Sequence, residues 1–446
     1  MKTRILAALL ALGLTGPLQA QEPIRLSLGD AIRRALDEGT AARIATSRVT
    51  EAEAQAQIAR SVLQPQVSAG TLAANESINL QAFGFTPPPG EPPVAGPFNL
   101  VDAHVTLAMN VIDVAARRRY AAARAGIEVS REERRRTEND VAAAVAALYV
   151  AVGRGSARID EIRANVDLFE KLRQLAADQK PAGIGTRLDT TRAEVQLARQ
   201  QQSLLVATNE RDLARLALLR AIGADLGAGI VLTDDWTKAA PPVPALDQAL
   251  AAARQGRPEL TLLAQQIRAA ELNAEAARAE RLPTVGAQAQ GTESGNRVSD
   301  VLWSRTIGVA VNVPIFTGRR IEARVAEAQA QREQLVLQQK ETERQVEQEV
   351  RRALLAMENA RSRVELAVKS VQLAQDELEQ ASDRFKAGVA SSIEVDNAQT
   401  SLAAARDTRI DALADEAQAR FDLARATGQI RTLFAAETSH GPETTR

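Results

Sequence analysis

Val105-Thr106-Leu107-Ala108-Met109-Asn110-Val111 and Ile307-Gly308-Val309-Ala310-Val311-Asn312-Val313 alternate large apolar side chains with small or polar ones at every second position. A period of two is that of a β-strand, and one apolar face backed by a small or polar one is what a strand in a membrane barrel requires. Each stretch is preceded, across a Pro-rich or a Gly- and Ser-rich loop, by a weaker candidate, at Gln66–Thr71 and Thr284–Gly291. The spacing predicts two hairpins, with strands near 66–75, 101–111, 284–292 and 303–315. A small sheet capping a soluble bundle is the alternative, because the first strand of each pair is rich in alanine. Four strands cannot close a barrel in lipid, since the smallest single-chain barrels have about eight and open edges are forbidden there. Several copies of the chain must therefore share one barrel. Trp303, at the start of the fourth strand, suits an interfacial aromatic girdle.

The two decisive stretches occupy matched places in a duplicated chain. Leu28 falls on Leu246, Ala31 on Ala249, Ala35 on Ala253, Glu53 on Glu271, Pro65 on Pro283 and Val67 on Val285, without a gap. Further on, Asn110-Val111 matches Asn312-Val313, Arg117-Arg118 matches Arg319-Arg320, Gly183 matches Gly388 and Leu197 matches Leu402. The first copy carries an insert, roughly 74–100, whose Pro87-Pro88-Pro89-Gly90 and Pro92-Pro93 read as a loop. The organisation expected is a leader at 1–20, a first repeat at 21–232 with its tip near 178–189, a linker at 233–245, a second repeat at 246–434 with its tip near 384–394, and a polar tail at 435–446.

Between strands and tips the pattern changes to helix. Val141, Val145, Leu148, Val152, Ile159, Ile162, Val166, Phe169, Leu172 and Leu175 fall mostly three, four or seven apart, and Val346, Val350, Leu354, Met357, Val364, Val368 and Val371 repeat the stripe. Helix running from about Ala115 to Ala177 would be on the order of 90 Å long. Such rods, rich in alanine and charge, pack as antiparallel coiled pairs. Helices of this kind fit a soluble coiled-coil bundle as well as anything else, and it is the strands that decide against it.

The first twenty residues carry Lys2 and Arg4, an apolar run from Ile5 to Leu14, and Pro17-Leu18-Gln19-Ala20. That order is a secretory leader, too short to span a membrane, with the mature chain starting near Gln21. Past it no apolar run reaches the length of a membrane helix, so an integral protein would have to cross on strands. The sequence holds no cysteine, which excludes disulfides, thiolate metal sites and an acylated-cysteine anchor. Lys and Arg nearly cancel Asp and Glu to a net charge of −1, and the two signs are interleaved, so no basic field invites nucleic acid.

With these features in place the chain resembles the TolC-type outer-membrane efflux protein family over almost all of its mature length. The residues that carry the likeness are Leu26-Ser27-Leu28-Gly29-Asp30-Ala31, Leu282-Pro283, Asn312-Val313-Pro314-Ile315-Phe316-Thr317-Gly318, and two tips, Ala182-Gly183-Ile184-Gly185-Thr186-Arg187-Leu188-Asp189 and Ala387-Gly388-Val389-Ala390-Ser391-Ser392-Ile393-Glu394. The resemblance implies a mainly α fold with a membrane part. Three chains would share a twelve-stranded barrel in the outer membrane of a Gram-negative bacterium, above a periplasmic tunnel of twelve helices. It implies partners too: a homotrimer, outer-membrane lipid, a periplasmic adaptor protein and an inner-membrane pump. The first copy departs from the pattern, with Ile112-Asp113-Val114-Ala115-Ala116 where the second has Pro314 to Gly318.

Each tip sets a glycine, Gly183 or Gly388, after one helix, where it can take a left-handed cap. Thr186 with Asp189, and Ser391 with Glu394, have the spacing of a capping box. Capping alone accounts for these residues. The resemblance adds adaptor docking on Gly183, Thr186, Arg187, Leu188, Gly388, Ser391 and Ile393. It also adds acidic rings at the pore mouth from Asp189 and Glu394, within reach of Arg187, Arg192 and Arg384.

No nucleophile elbow, phosphate loop or metal-ligand cluster appears, and the only histidines are His104 and His440. Both read as solvated, His104 at a loop-strand edge and His440 in the tail. The chain is not expected to be an enzyme or to hold a cofactor or metal. A periplasmic adaptor is the main rival, although an adaptor would show one helical hairpin between β-rich domains. A structural coiled-coil protein is the third reading.

Overall fold

The alternating stretches become the inner and outer strands of one sheet, and the helical stripes become two rods. The computed structural model describes residues 23–179, 186–238, 242–387, 389 and 392–431. The expected leader, the tip residues Gly183, Gly388 and Ser391, and the polar tail lie outside them. In chain order the elements are β1 (Ile24–Leu26), α1 (Leu28–Asp37), α2 (Thr40–Ser61), β2 (Gln66–Asn79), β3 (Val94–Ile112), α3 (Val114–Gln179) and α4 (Arg187–Ala221). Then come β4 (Ile230–Leu232), α5 (Leu246–Gly256), α6 (Pro258–Ala279), β5 (Thr284–Gly295), β6 (Leu302–Asn312), α7 (Arg320–Lys386) and α8 (Ser392–Ala426). α3 and α7 have 66 and 67 residues, each about 100 Å at 1.5 Å per residue.

The sheet is antiparallel throughout in the order β2-β3-β5-β6, so the two hairpins join through β3 and β5. Its register sorts side chains into two faces. One carries rows such as Val67, Leu107, Ala289 and Ile307; the next row over on the opposite face reads Ser68, Thr106, Gln290 and Thr306. The apolar face is exposed in the single chain, Val67, Val105, Leu107, Ile307, Val309 and Val311 all included. The Trp303 ring, at the rim end, lies across Gly291 of the neighbouring strand, covering a position that has no side chain of its own.

Two strand expectations need correction. The insert at 74–100 is not all loop: β2 runs to Asn79, β3 starts at Val94, and Asn75 pairs with Asn99 and Glu76 with Phe98. The prolines at 87–93 confine only the turn, and the backbone on either side gains more by pairing than its composition suggests. Pro97, which has no N–H to give, sits where the register slips between Glu76 and Ile78. In the second copy β6 stops at Asn312 rather than 315, ahead of Pro314. The departure noted at the first strand-to-helix junction resolves into two different turns. Asp113 accepts a hydrogen bond from the Ala116 N–H at 2.7 Å and starts α3, whereas Gly318 and Arg319, both left-handed at φ 61° and 62°, start α7.

Helices extend the sheet's order. Next to the strands the packing runs α2, α3, α6, α7; toward the tips it runs α4, α3, α8, α7. A core at mid-height joins both halves: Leu26, Ile32, Val145, Tyr149, Leu218, Phe421 and Ile430 are all buried in it. β1 and β4, which were not foreseen, pair in parallel there and tie the start of the described chain to the end of the first repeat. The Tyr149 hydroxyl donates to the Leu26 carbonyl and accepts from the Asp234 N–H, both at 3.1 Å, while the Asp234 carboxylate accepts from the Leu28 N–H at 2.7 Å. Gly153 leaves room for the Trp236 indole, which a Cβ would meet at 2.5 Å.

One window of α3 is long and apolar enough to resemble a membrane span, contrary to the expectation that no helix would be. Its apolar side chains, including Ala142, Val145, Ala146, Tyr149 and Val150, belong to the core instead. Ion pairs then fix α3 against α8 across the two halves: Arg154 with Asp411 at 2.8 Å, Glu161 with Arg406 at 2.8 Å, and Asp140 with Arg425 at 2.7 Å. At the foot of the sheet Glu280, only 12% exposed, meets Arg119, Arg320 and Arg324 at 2.6 to 3.1 Å. Burial pushes its carboxyl up, but the hydrogen bonds and charges of Arg324 and Arg119 outweigh this and hold it below its usual value.

Tyr149→Phe should destabilise the protein by about 1–3 kcal/mol through the N–H of Asp234 left without its acceptor, read by thermal unfolding in detergent. Glu280 has the depressed pKa of a carboxylate favoured by folding, so its contribution is present above its ordinary value of 4.5 and is lost as pH falls through the lower folded value. Glu280→Gln should therefore be less stable than the parent at neutral pH. That difference should shrink as pH falls below 4.5 through the lower folded value, and one that held constant with pH would contradict the assignment.

Candidate functional site

Two helical hairpins, α3 with α4 and α7 with α8, turn at the end of the molecule far from the sheet. In the first, α4 opens at Arg187 with Thr186 just before it, and the Thr190 N–H reaches back to the Thr186 carbonyl at 3.5 Å, the bond that starts a helix. The Thr191 hydroxyl donates to the Arg187 carbonyl at 3.1 Å. Thr186, Arg187 and Leu188 are exposed, Leu188 at 56%. Asp189 lies in the first turn of α4, where negative charge suits the helix dipole; its side chain lies outside the described residues.

In the second hairpin the N–H of Ala387 bonds the Asp383 carbonyl and that of Val389 bonds the Arg384 carbonyl, both at 3.0 Å. The latter spans five residues, as in the turn that a C-capped helix makes. Glu394 stands in the first turn of α8, and its Oε1 lies 3.0 Å from Nε of Arg384. Of the arginine pairings expected at the tips, this is the one the described residues display. It clips the last turn of one rod to the first turn of the next. Both partners are about half exposed.

Around these charges sit large apolar side chains with no cover: Ile393 and Phe385 are exposed, and Val389 is 68% exposed. With Leu188 they give each tip an apolar point beside a charged one, the composition of a surface that meets another protein. Phe385 was not singled out from sequence. It interrupts a charged stretch, Asp383-Arg384-Phe385-Lys386, and an aromatic there just before the turn was the available signal.

His104 stands away from the tips and is not at a loop edge as expected. It lies well inside β3, opposite Gly70 and Thr292, because the strand begins at Val94, seven residues before its expected start. Among the described residues no group of three or more His, Asp or Glu side chains is placed to hold a metal ion.

The family model described as outer membrane efflux protein matches residues 31–224 and again 249–429. Of curated proteins, the outer membrane efflux protein BepC of Brucella suis is 27% identical over 327 residues, covering 66% of this chain and 69% of BepC. The pyoverdine export outer membrane protein OpmQ of Pseudomonas aeruginosa is 23% identical over 413 residues, covering 90% of this chain and 85% of OpmQ. Among solved structures, the CmeC outer membrane channel of Campylobacter jejuni superposes with a TM-score of 0.78 at 17% identity, over 94% of this chain and 90% of CmeC. The adaptor and structural coiled-coil readings fall to these matches, which run through both halves.

Because the Arg384–Glu394 pair is solvent-exposed, Glu394→Ala should cost no more than about 1 kcal/mol in unfolding free energy, measured by thermal denaturation. A larger loss would mean that the pair holds the fold itself.

Proposed function

We propose that this chain, which belongs to the outer membrane efflux protein family, forms a homotrimeric pore that takes solutes from a periplasmic adaptor and an inner-membrane pump and passes them outward without further work. The protein resides in the outer membrane, as its efflux-family relatives do, and its fold is that of solved channel proteins rather than of enzymes. The finer reading rests on one observation. In all three layers the same two sides of the chain are left open: β2, α2 and α4 on one, β6 and α7 on the other.

Such sides differ from each other, so a second copy must join head to tail, and contacts of this kind close into a ring when the rotation between copies divides a full turn. Exposed stripes on the two lower edges suit that joint. Leu337, Leu355 and Leu373 of α7 recur along one line of the helix, about five turns apart, as do Leu188 with Val206 and Val195 with Leu213 on α4. Three copies would give twelve strands, enough for a closed barrel. The apolar sheet face then meets lipid and the polar face lines the lumen.

At the other end three pairs of tips would surround the mouth. Thr186, Arg187, Leu188 and Ile393 offer the adaptor its footing, together with Gly183, Gly388 and Ser391. Asp189 and Glu394 would form acidic rings that favour cations, and the Arg384–Glu394 pair would hold the second of them in its closed arrangement.

Detergent extraction of outer membranes should yield trimers, and purified trimers should conduct in a planar bilayer; monomers, or another copy number, would sink the ring of three. In that bilayer Glu394→Ala should lower the cation-to-anion permeability ratio by about two- to fivefold, the effect of a charge ~4 Å from a passing ion in water. Unchanged selectivity and conductance would remove the acidic ring while leaving adaptor docking intact.

A further inference from the structure

The polar face of the sheet is built from amides, hydroxyls and small groups. Its successive rows read Gln66, Ala108, Gln288 and Gly308; then Ser68, Thr106, Gln290 and Thr306; then Gly70, His104, Thr292 and Ser304; then Leu72, Asp102, Ser294 and Leu302. Glu293 and Arg305 stand on the opposite face by their register, and Glu76 lies further out, toward the loop end. Within these four rows Asp102 and His104 are the ionisable side chains.

They form a constructed pair. Two residues apart on one strand, they point to the same face, and His104 Nδ1 lies 2.7 Å from Asp102 Oδ1. The imidazole leans across β2, where a Cβ on Gly70 would come within 2.9 Å of Nε2 and 3.0 Å of Cε1. Glycine at that position is therefore what lets the ring lie against the wall with its other nitrogen held by the carboxylate. From β2 the pair is faced by Ser68, Gly70 and Leu72, and from β5 by Gln290, Thr292 and Ser294, none of which titrates. β3 is an inner strand, so no strand of a neighbouring copy flanks it.

We propose that Asp102, buttressed by His104, forms the charge-selecting site of the barrel interior and favours cationic over anionic solutes. This rests on the trimeric channel reading, in which the polar face lines the lumen and three Asp102 carboxylates make one ring. Between low-dielectric walls, in rows that carry no other carboxylate, such a ring concentrates cations and repels anions. The preference of the passage is then set within the barrel, independently of any motion of the helices.

The test is the reversal potential of purified full-length trimers in a planar bilayer under a potassium chloride gradient at constant pH. Asp102→Asn should lower the cation-to-anion permeability ratio about two- to fivefold. His104→Gln, which leaves the carboxylate in place, should keep the preference for cations, which separates the charge of Asp102 from a merely structural role of the pair. Trimers of Asp102→Asn that conduct with the parent's ratio would overturn the proposal. Failure of the parent to form conducting trimers would instead overturn the channel reading on which the site depends.

Discussion

A backbone N–H or C=O group in hydrocarbon must find a partner within the protein, because lipid offers none. This chain brings only four strands to that problem, and β2 and β6 each keep one side unpaired. Their shared apolar face could be hidden by a soluble partner, but their edges could not be satisfied by anything except another strand. The proposed ring of copies would meet that requirement. The helices that continue from the sheet inherit its order, the open sides of the helical layers match the open sides of the sheet, and the exposed leucine lines on α4 and α7 lie where the next copy would have to come.

Below the membrane the constraint changes from hydrogen bonding to packing. The rods have few large side chains, and alanines such as Ala142, Ala146, Ala353, Ala360, Ala405 and Ala417 are buried along them, which lets helices approach closely over their whole length. Such contacts resist sliding only weakly, and the charges supply register. Pairs between α3 and α8, at Asp140, Arg154 and Glu161 on one side and Arg425, Asp411 and Arg406 on the other, recur along most of the shared length, and Glu138 adds Arg431 just past the end of α8. Each alone adds little stability in water, yet a shift of one helix past the other would break all of them together.

What could be read from sequence divides by the range of the forces involved. The central part of β3 and the long rods were legible because alternation and the 3.6-residue stripe act within a few residues. β1 and β4 were not, since three-residue strands leave no pattern and exist only because each finds the other across two hundred positions of chain. The outer ends of β2 and β3 were hidden for a related reason: Asn75, Glu76, Asn99 and Phe98 look like loop until they are set opposite one another. At the tips, spacing gave the charges their places, and Arg384 with Glu394 was among the pairs within reach. Which arginine would take the acid depended on how α7 ends. His104 was placed at an edge because its strand was taken to start too late.

Tyr149 and the core around it change what the duplication means. Leu26 near the start of the described chain, Asp234 between the halves, and Phe421 and Ile430 near its end all gather on the middle of α3. Two copies of an ancestral unit would ordinarily be expected to remain separable, each with an interior of its own. Here the mid-height cluster belongs to both, because the first repeat's central helix is covered there by the last residues of the second. The halves ceased to be modules once they came to share that interior. Damage anywhere along it is therefore felt by the whole chain in a single cooperative transition, rather than being contained within one repeat.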